Sequence, residues 1–256
     1  MSELKALLFD VDGTLADTER DGHRVAFNRA FADAGLDWYW SVELYGQLLA
    51  VTGGKERIKH FLAGHRPDFQ AQGDLDSFVA GLHKAKTAHY TAMLADGAVQ
   101  LRPGVRRLLE EARAAGLRLA VATTTTPENV SALLTHSLAE DGLDWFEVIA
   151  AGDIVPAKKP APDIYLWAMA TMGLKPDECL AFEDSKNGVR SSTGAGLTTL
   201  VTVNGYTENE DLSGAAVILD QLGEPGTPFK VLAGDVLGAD HVTLDFLRQL
   251  HAASHG

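Results

Sequence analysis

A short apolar run that ends in two carboxylates constrains the fold of this chain more than any other part of its sequence. Residues 7–9, Leu-Leu-Phe, are too few for anything but a buried strand, and Asp10 and Asp12 follow directly. Gly13 then allows the backbone to turn sharply. In open parallel α/β sheets, ligands bind beyond the carboxyl ends of the strands. The run therefore predicts a strand that delivers two acids to a ligand-binding edge.

Two carboxylates at that edge favour a metal site. Asp10 and Asp12 are separated by one residue, and acids so close raise each other's pKa unless a cation lies between them. Oxygen ligands at a turn suit Mg²⁺, which we therefore expect as the cofactor. An ordinary turn capped by Asp10 explains this stretch equally well when it is considered alone.

The composition excludes several classes of function. The chain has 256 residues, 46% of them hydrophobic, which predicts a packed globular fold. Its net charge of −13 argues against sequence-independent binding to nucleic acid or to anionic membranes. The single cysteine, Cys179, rules out an internal disulfide. No apolar segment approaches the roughly 20 residues of a membrane span, and the first strand begins too early for a signal peptide. We therefore expect a cytoplasmic protein.

The remainder of the chain divides into two patterns. Residues 17–97 predict one helix after another with no clear strand, whereas strands and helices alternate after residue 98. Such alternation is typical of a doubly wound parallel sheet. We therefore predict an α/β fold in which residues 1–16 and 98–256 form the sheet domain and residues 17–97 form a helical cap inserted after the first strand. The later strands are predicted at residues 117–122, 148–150, 180–182 and 200–203.

Two segments carry weaker patterns. Residues 63–73 are rich in turn-forming residues and predict a loop inside the cap. After residue 221 the hydrophobic pattern fades, and only residues 242–250 predict a final helix. We assign no function to the segment after about residue 216.

The later strands are also followed by polar side chains. Four threonines at residues 123–126 follow the second strand, and the next helix begins with free N–H groups that can hold a phosphoryl oxygen. Lys159 follows the third strand and is held extended by the proline after it. Glu183 and Asp184 follow the fourth. A helix cap, a solvated lysine and a pair of turn acids explain these features singly, but the sheet would bring all of them to one edge.

The order Asp-x-Asp, Thr, Lys, Glu-Asp resembles that of the haloacid dehalogenase-like phosphohydrolases with a helical cap after the first strand. The resemblance extends from about residue 4 to residue 216. It implies that Asp10 is the nucleophile and carries an aspartyl phosphate. It also implies that Asp12 protonates the leaving oxygen and then activates water. Thr123 and Lys159 would stabilise the phosphoryl oxygens, although the run of threonines leaves the register of that motif open.

The same resemblance implies a set of ligands for Mg²⁺. These are the carboxylates of Asp10 and Asp184 and the backbone carbonyl of Asp12, with Glu183 binding through water. Water and a substrate oxygen would complete the coordination shell.

The cap sequence resembles that of the CbbY proteins. The resemblance rests on residues 19–24, 44–46, 53–57 and 81–87. That family is known for xylulose-1,5-bisphosphate phosphatases, which remove an inhibitor formed by misfiring of Rubisco, the carboxylase of the Calvin cycle. The resemblance implies a set of substrate-binding residues, which are Glu19, His23, Tyr45, Thr52, Gly53, Gly54, Lys55, Arg57, Lys86, Thr124 and Thr125.

The Gly-Gly-Lys part of the cap also makes physical sense as a second anion site. Gly53 and Gly54 let the backbone approach a ligand closely, and a helix begins near Lys55. Free N–H groups would therefore meet two cations, Lys55 and Arg57, as a bisphosphate requires. A flexible turn with solvated cations is the ordinary alternative.

The expected function is therefore Mg²⁺-dependent hydrolysis of a small phosphorylated sugar, most simply xylulose-1,5-bisphosphate. A β-phosphoglucomutase-like phosphomutase and a phosphoglycolate phosphatase share the same core residues and remain alternatives. A response-regulator-like phosphoacceptor also uses a strand-end Asp, a Thr and a Lys, but it lacks the inserted cap and the second acid. We expect a monomer with neither a nucleic-acid nor a membrane partner.

Overall fold

A seven-stranded sheet with the order β3-β2-β1-β4-β5-β6-β7 forms the centre of the molecule. The computed structural model describes residues 2–255. Strands β1 to β6 are parallel, and only β7 runs antiparallel to its neighbour. The strands are β1 (Ala6–Phe9), β2 (Arg118–Ala122), β3 (Val148–Ala150), β4 (Cys179–Glu183), β5 (Thr198–Thr202), β6 (Val217–Leu219) and β7 (Val231–Ala233).

Helices cover the sheet and form the inserted cap, which confirms the predicted doubly wound α/β fold. A short π-helical turn, Glu19–His23, leads from β1 into the first helix. No helix within residues 2–255 is long and apolar enough to cross a membrane. The helices are α1 (Arg24–Asp33), α2 (Val42–Leu48), α3 (Gly54–His65), α4 (Leu75–Ala95), α5 (Val105–Ala114), α6 (Pro127–Leu133), α7 (Asp163–Met172), α8 (Lys186–Gly194) and α9 (Leu244–Ser254).

The register of the sheet aligns the ends of three strands. Phe9, the last residue of β1, is the partner of Val121 in β2 and of Phe182 in β4. The Phe9 and Phe182 rings stack with their centroids 4.4 Å apart, and both are buried. Asp10 donates its N–H to the Phe182 carbonyl at 3.0 Å. The residues that follow these strands therefore start from one edge, as the sequence predicts.

The four helices of the cap have a hydrophobic core of their own. Its largest members are aromatic and buried, and they comprise Phe27, Phe31, Trp38, Trp40, Tyr45 and Phe61. The last turns of α4 behave differently, because Tyr90 and Leu94 pack in the core of the sheet instead. Helix α4 thus connects the two cores, and the domain boundaries at residues 17 and 97 remain a prediction.

The weak segments of the sequence contain more structure than predicted. Helix α3 continues to His65, into the predicted loop, because the first helix-breaking residue is Pro67. The C-terminal segment adds β6 and β7 to the sheet, and α9 extends beyond the predicted residue 250 to Ser254. Strand β7 has three residues, all exposed, so it carries no alternation of apolar and polar positions that a sequence could reveal.

Arg102 holds the loop after β1 against the far half of the sheet. Its buried guanidinium donates to the carbonyls of Gly13, Val203 at 2.6 Å and Asp220 at 2.7 Å, with a longer bond of 3.3 Å to Thr202. A buried carbonyl without a donor costs about 1–3 kcal/mol. Arg102 therefore stabilises the edge of the sheet through backbone contacts.

Replacing Arg102 with methionine should destabilise the fold by about 3 kcal/mol, because the buried carbonyls would lose their donor. For a chain of this length, thermal unfolding should then shift down by roughly 5–10 °C. Arg29→Met is the matched control, since Arg29 is exposed on α1 and the change in charge is identical. Melting temperatures of the two variants within about 2 °C of each other would contradict this role for Arg102.

Candidate active site

Lys159 lies between two buried acids at the carboxyl edge of the sheet. Its ammonium is 2.6 Å from Asp10 Oδ1 and 2.6 Å from Glu183 Oε1, and its side chain is 5% exposed. Tyr165 of α7 donates its hydroxyl to the same Glu183 oxygen at 2.5 Å. These contacts bring together residues from β1, β4 and the loop after β3, as predicted from their positions after the strands.

Burial and mutual repulsion shift the pKa values of the acids at this edge. Burial raises the pKa of Asp10, and the Glu183 and Asp12 carboxylates add to the rise, while Lys159 opposes it. Burial raises the pKa of Asp184 well above its usual range, and Asp10 and Glu183 act in the same direction. Burial disfavours the charge on Lys159, but Asp10 and Glu183 hold the pKa of Lys159 above its ordinary value. One ammonium therefore does not balance the group, and another cation would relieve it.

Three buried carboxylates at this edge fit a divalent cation. Asp10, Glu183 and Asp184 each offer an oxygen, and these oxygens lie within 4.8 Å of one another. Asp184 also accepts a hydrogen bond from Asn204 Nδ2 at 2.7 Å, which fixes the orientation of its carboxylate. An all-oxygen donor set of this kind suits Mg²⁺. Gly13, at φ 88°, packs against Asp184, and any side chain at residue 13 would displace that carboxylate.

The start of α8 packs closely against the second carboxylate oxygen of Glu183. Its Oε2 atom is buried, has no hydrogen-bond partner within residues 2–255, and lies against the Cα of Gly188. A Cβ at residue 188 would overlap this oxygen. The geometry thus commits Glu183 to Lys159 and Tyr165.

Asp12 is bound by the segment that leads into the cap. Its Oδ1 accepts from Thr18 Oγ1 at 2.5 Å and pairs with His23 Nε2 at 2.8 Å. The other ring nitrogen of His23 pairs with the ammonium of Lys86, on α4, at 2.9 Å. Burial raises the pKa of Asp12, but His23, Thr18 and Lys86 outweigh it and hold that pKa below its usual range. These contacts therefore keep Asp12 ionised in the ligand-free cleft.

Thr123 occupies the position after β2 that the sequence favours for contact with a phosphoryl group. It is buried, and its N–H donates to the Ala150 carbonyl at 2.9 Å, which continues the pairing of β2 with β3. Its hydroxyl accepts from Thr125 N at 3.3 Å, and the Thr125 hydroxyl accepts from Asn129 at 2.9 Å. The threonine run is therefore an ordered turn, and Thr123 and Thr124 line the edge cavity together with the carboxylates.

Two cavities adjoin this edge. The edge cavity is lined by Asp10, Asp12, Thr123, Lys159, Glu183 and Asp184, with Thr52 at its cap side. The cap cavity is lined by residues of both domains, which include His23, Gly53, Gly54, Lys55, Lys86 and Thr125. Asp12, Glu19, Arg57 and Thr124 line both cavities. The reacting edge and the predicted second anion site are therefore neighbouring parts of one cleft.

Arg57 is the buried cation between the two cavities. It is 7% exposed and donates to Tyr45 Oη at 3.0 Å, while its Nε atom has no partner within residues 2–255. Tyr45 in turn donates to the Glu19 carboxylate. Tyr45 is fully buried and, in the described chain, lines neither cavity, so the structure places it behind Arg57 and Glu19.

Ion pairs and hydrogen bonds join the cap to the sheet domain around the cleft. Lys55 pairs with Asp153 at 2.5 Å, and Lys158 pairs with Glu56 at 3.0 Å. Asn187 of α8 donates to Thr52 Oγ1 at 3.1 Å. Lys55 is thus already paired, which the sequence does not reveal.

Comparison with known proteins agrees with this site. The haloacid dehalogenase-like hydrolase family matches residues 4–196. Protein CbbY of Rhodobacter capsulatus is 54% identical over 213 residues, which cover 83% of this chain and 91% of that protein. The plasmid-encoded CbbY of Cupriavidus necator is 44% identical over 253 residues, 99% of this chain and 98% of that protein.

The chain belongs to the CbbY family of haloacid dehalogenase-like hydrolases. The resemblance inferred from the motifs is confirmed, and the chain is a phosphatase. A crystal structure of CbbY (mutant D10N) from Rhodobacter sphaeroides in complex with xylulose-(1,5)bisphosphate is 47% identical in sequence, with a TM-score of 0.78. The match covers 85% of this chain and 94% of that one. Because the chain belongs to this family and has its inserted cap, the response-regulator alternative is rejected.

Several residues of this CbbY-family site do not emerge from the sequence. Tyr165 and Gly188 support Glu183, and Asn204 orients Asp184. Lys158 and Asp153 reach the cleft from the loop after β3. Only Gly188 has a local signal, since it follows Glu183 by five residues at the start of a helix; the others depend on tertiary packing.

Gly188→Ala should lower phosphatase activity without unfolding the protein. Alanine is favourable in a helix, but its Cβ would push Glu183 away from Lys159. Loss of a charge-assisted hydrogen bond of about 1.5–3 kcal/mol corresponds to a ten- to hundredfold fall in kcat/KM on an aryl phosphate. Gly194→Ala, in the same helix, meets its nearest neighbour at an ordinary 3.7 Å and should retain activity. Equal kinetics for the two variants would refute the role of Gly188.

Proposed function

We propose that this protein is a Mg²⁺-dependent sugar-bisphosphate phosphatase whose substrate is xylulose-1,5-bisphosphate. One observation carries the proposal: the edge with Asp10 and Lys159 adjoins a cap cavity into which several cations are gathered, and Arg57 lines both cavities. A bisphosphate can place one phosphate at each position. The relative crystallised with xylulose-(1,5)bisphosphate supports the choice of sugar. In a cell that contains Rubisco, this activity would remove an inhibitor of that enzyme.

In the first half of the reaction, Asp10 attacks phosphorus and forms an aspartyl phosphate. Lys159, which is within 2.6 Å of Asp10, would stabilise the charge that develops on the phosphoryl oxygens, together with Thr123. Asp12, which is ionised in the ligand-free cleft, would take the proton that the phosphate monoester carries and give it to the leaving oxygen. Its hydrogen bonds from Thr18 and His23 hold the carboxylate in a fixed orientation for this transfer.

In the second half, Asp12 would take a proton from water, which attacks the aspartyl phosphate and regenerates Asp10. The same carboxylate thus serves as acid and then as base, and the proton that it takes from water leaves with the released phosphate. Lys86 and His23 lie behind Asp12 and keep it in contact with the cap during both steps.

Asp10, Asp184 and the backbone carbonyl of Asp12 would hold Mg²⁺, with Glu183 next to it. Bound there, the ion supplies the positive charge that the edge needs and neutralises the oxygens of the transferring phosphoryl group. The clustering of three buried carboxylate oxygens within 4.8 Å supports this assignment.

The second phosphate would bind in the cap cavity. Gly53, at φ 95°, directs the start of α3 toward this cavity, and Arg57, Lys55 and Lys86 contribute positive charge. Burial first, and then the charges of Lys86, Lys55 and Lys158, lower the pKa of His83 in the cavity wall to about 4. The contribution of the three lysines shows that their charges reach this wall of the cavity.

The substrate assignment is tested by phosphate release from a panel of sugar phosphates. We expect kcat/KM for xylulose-1,5-bisphosphate to exceed that for pentulose monophosphates, hexose phosphates and phosphoglycolate by tenfold or more. Activity should disappear with EDTA and return with Mg²⁺, because the clustered acids need a cation. Faster turnover of phosphoglycolate, or isomerisation of a hexose phosphate, would favour the phosphatase or mutase alternatives instead.

Asp10→Asn provides the control for this panel. A neutral amide cannot attack phosphorus, so activity should fall below about 1% of wild type on every substrate. Activity above that level in the purified variant would mean that a contaminating phosphatase contributes, or that Asp10 is not the nucleophile.

Lys55→Ala should lower the preference for a second phosphate. The lost charge-assisted contact, partly offset by the ion pair that Lys55 already makes, should reduce the ratio of kcat/KM for the bisphosphate over an aryl phosphate by about tenfold. Lys59→Ala is the control, since Lys59 lies one turn further along α3 and pairs with Asp76 at 2.6 Å. If both variants keep the wild-type ratio, Lys55 does not bind the second phosphate.

A further inference from the structure

Asp153 bridges the two domains at the wall of the cap cavity. It lies in the loop after β3, and its two carboxylate oxygens bind two different lysines. Oδ2 is 2.5 Å from Lys55 Nζ, in the cap, and Oδ1 is 2.9 Å from Lys158 Nζ, in the sheet domain. These hydrogen bonds lower the pKa of Asp153 to about 2. The carboxylate is therefore an anion seated between two ammonium groups.

A phosphate bound in the cap cavity would contact the same two lysines that the Asp153 carboxylate contacts. Lys55, Lys158 and Asp153 all line the cap cavity, next to Gly53. Glu56 also pairs with Lys158, at 3.0 Å, so that lysine keeps one partner if Asp153 moves. Lys55 has no second acidic partner within residues 2–255. An anion that enters the cavity must therefore compete with Asp153 above all for Lys55.

We propose that Asp153 is an internal competitor for the second phosphate of the substrate, which holds Lys55 and Lys158 in the ligand-free cleft and gives them up only to a phosphate group. This inference rests on the proposed bisphosphatase function. It adds a specificity-determining residue that acts by opposing binding.

The charges explain why such a competitor selects bisphosphates. The Asp153 carboxylate carries one negative charge, whereas a phosphate monoester carries nearly two at neutral pH and has three acceptor oxygens. A phosphate can therefore replace the carboxylate with a net gain. A substrate whose second end is a hydroxyl or hydroxymethyl group cannot replace the carboxylate. A monophosphate substrate therefore leaves both lysines paired with Asp153. Specificity then depends on a repulsive element as well as an attractive one.

A purely positioning role for Asp153 makes the opposite prediction. If the carboxylate only holds Lys55 toward the substrate, its removal would disorder the lysine and weaken binding of a bisphosphate. If it competes, its removal would free Lys55, leave Lys158 with Glu56 alone, and strengthen that binding. The sign of the effect separates the two roles.

The test uses Asp153→Asn and two inhibitors of aryl phosphate hydrolysis at fixed ionic strength. Pentane-1,5-diyl bisphosphate carries one phosphate for each cavity, and pentyl phosphate carries only one. The ratio of the inhibition constant for pentyl phosphate to that for the bisphosphate should rise about three- to tenfold in the variant, because the Asp153 carboxylate no longer competes for Lys55 and Lys158. Asp153→Ala should change the ratio in the same direction, and comparison of the melting temperatures confirms that both variants fold.

Asp68→Asn is the control for net charge. Asp68 is exposed in the loop after α3, and this variant should keep the wild-type ratio. A ratio that falls or stays constant in both Asp153 variants overturns the inference. Failure of the proposed function looks different: the wild-type protein would then prefer a monophosphate in the substrate panel and bind both inhibitors equally.

Discussion

The buried Lys159 ammonium is the interaction on which the rest of the site depends. It joins Asp10, at the end of β1, to Glu183, at the end of β4, with 2.6 Å contacts to both. Taking these charges out of water is costly unless they are paired and hydrogen-bonded. Tyr165 supplies a further hydrogen bond to Glu183, and Gly188 leaves the space that this acid needs. The sheet edge is thus built around a charge balance that a substrate phosphate and a cation would complete.

The cap adds a second, separate source of positive charge. Arg57 is buried between the two cavities and lines both, whereas Lys55 is more exposed and is paired with Asp153. The two cations therefore differ in what a ligand must do to reach them. The Nε atom of Arg57 has no hydrogen-bond partner among residues 2–255, so a phosphate can accept a bond from it without displacing another group. A phosphate that contacts Lys55 must instead displace the Asp153 carboxylate. A cavity of this kind can offer several cations to a phosphate and still reject weaker anions.

The fold and the catalytic edge could be predicted because each chemical residue follows its own strand. Asp10, Thr123 and Asp184 need only the alternation of strands and helices to be placed together. The supporting contacts could not be predicted, because Tyr165 and Asp153 occupy positions that are ordinary for a helix face and a surface loop. Strand β7 is three residues long and exposed along its whole length, so its sequence carries no periodic pattern. Sequence thus identifies the reacting groups better than it identifies the side chains that orient them.

The insertion point of the cap has a chemical consequence. Because the cap begins just after β1, the chain that carries Asp12 continues directly into Thr18 and His23, which bind its carboxylate. His23 contacts Lys86 on α4, so the orientation of the proposed acid depends on the packing of the cap. Asp10 has no such link, since its partner Lys159 belongs to the sheet domain. A displacement of the cap would therefore disturb proton transfer while leaving the nucleophile and its lysine in place.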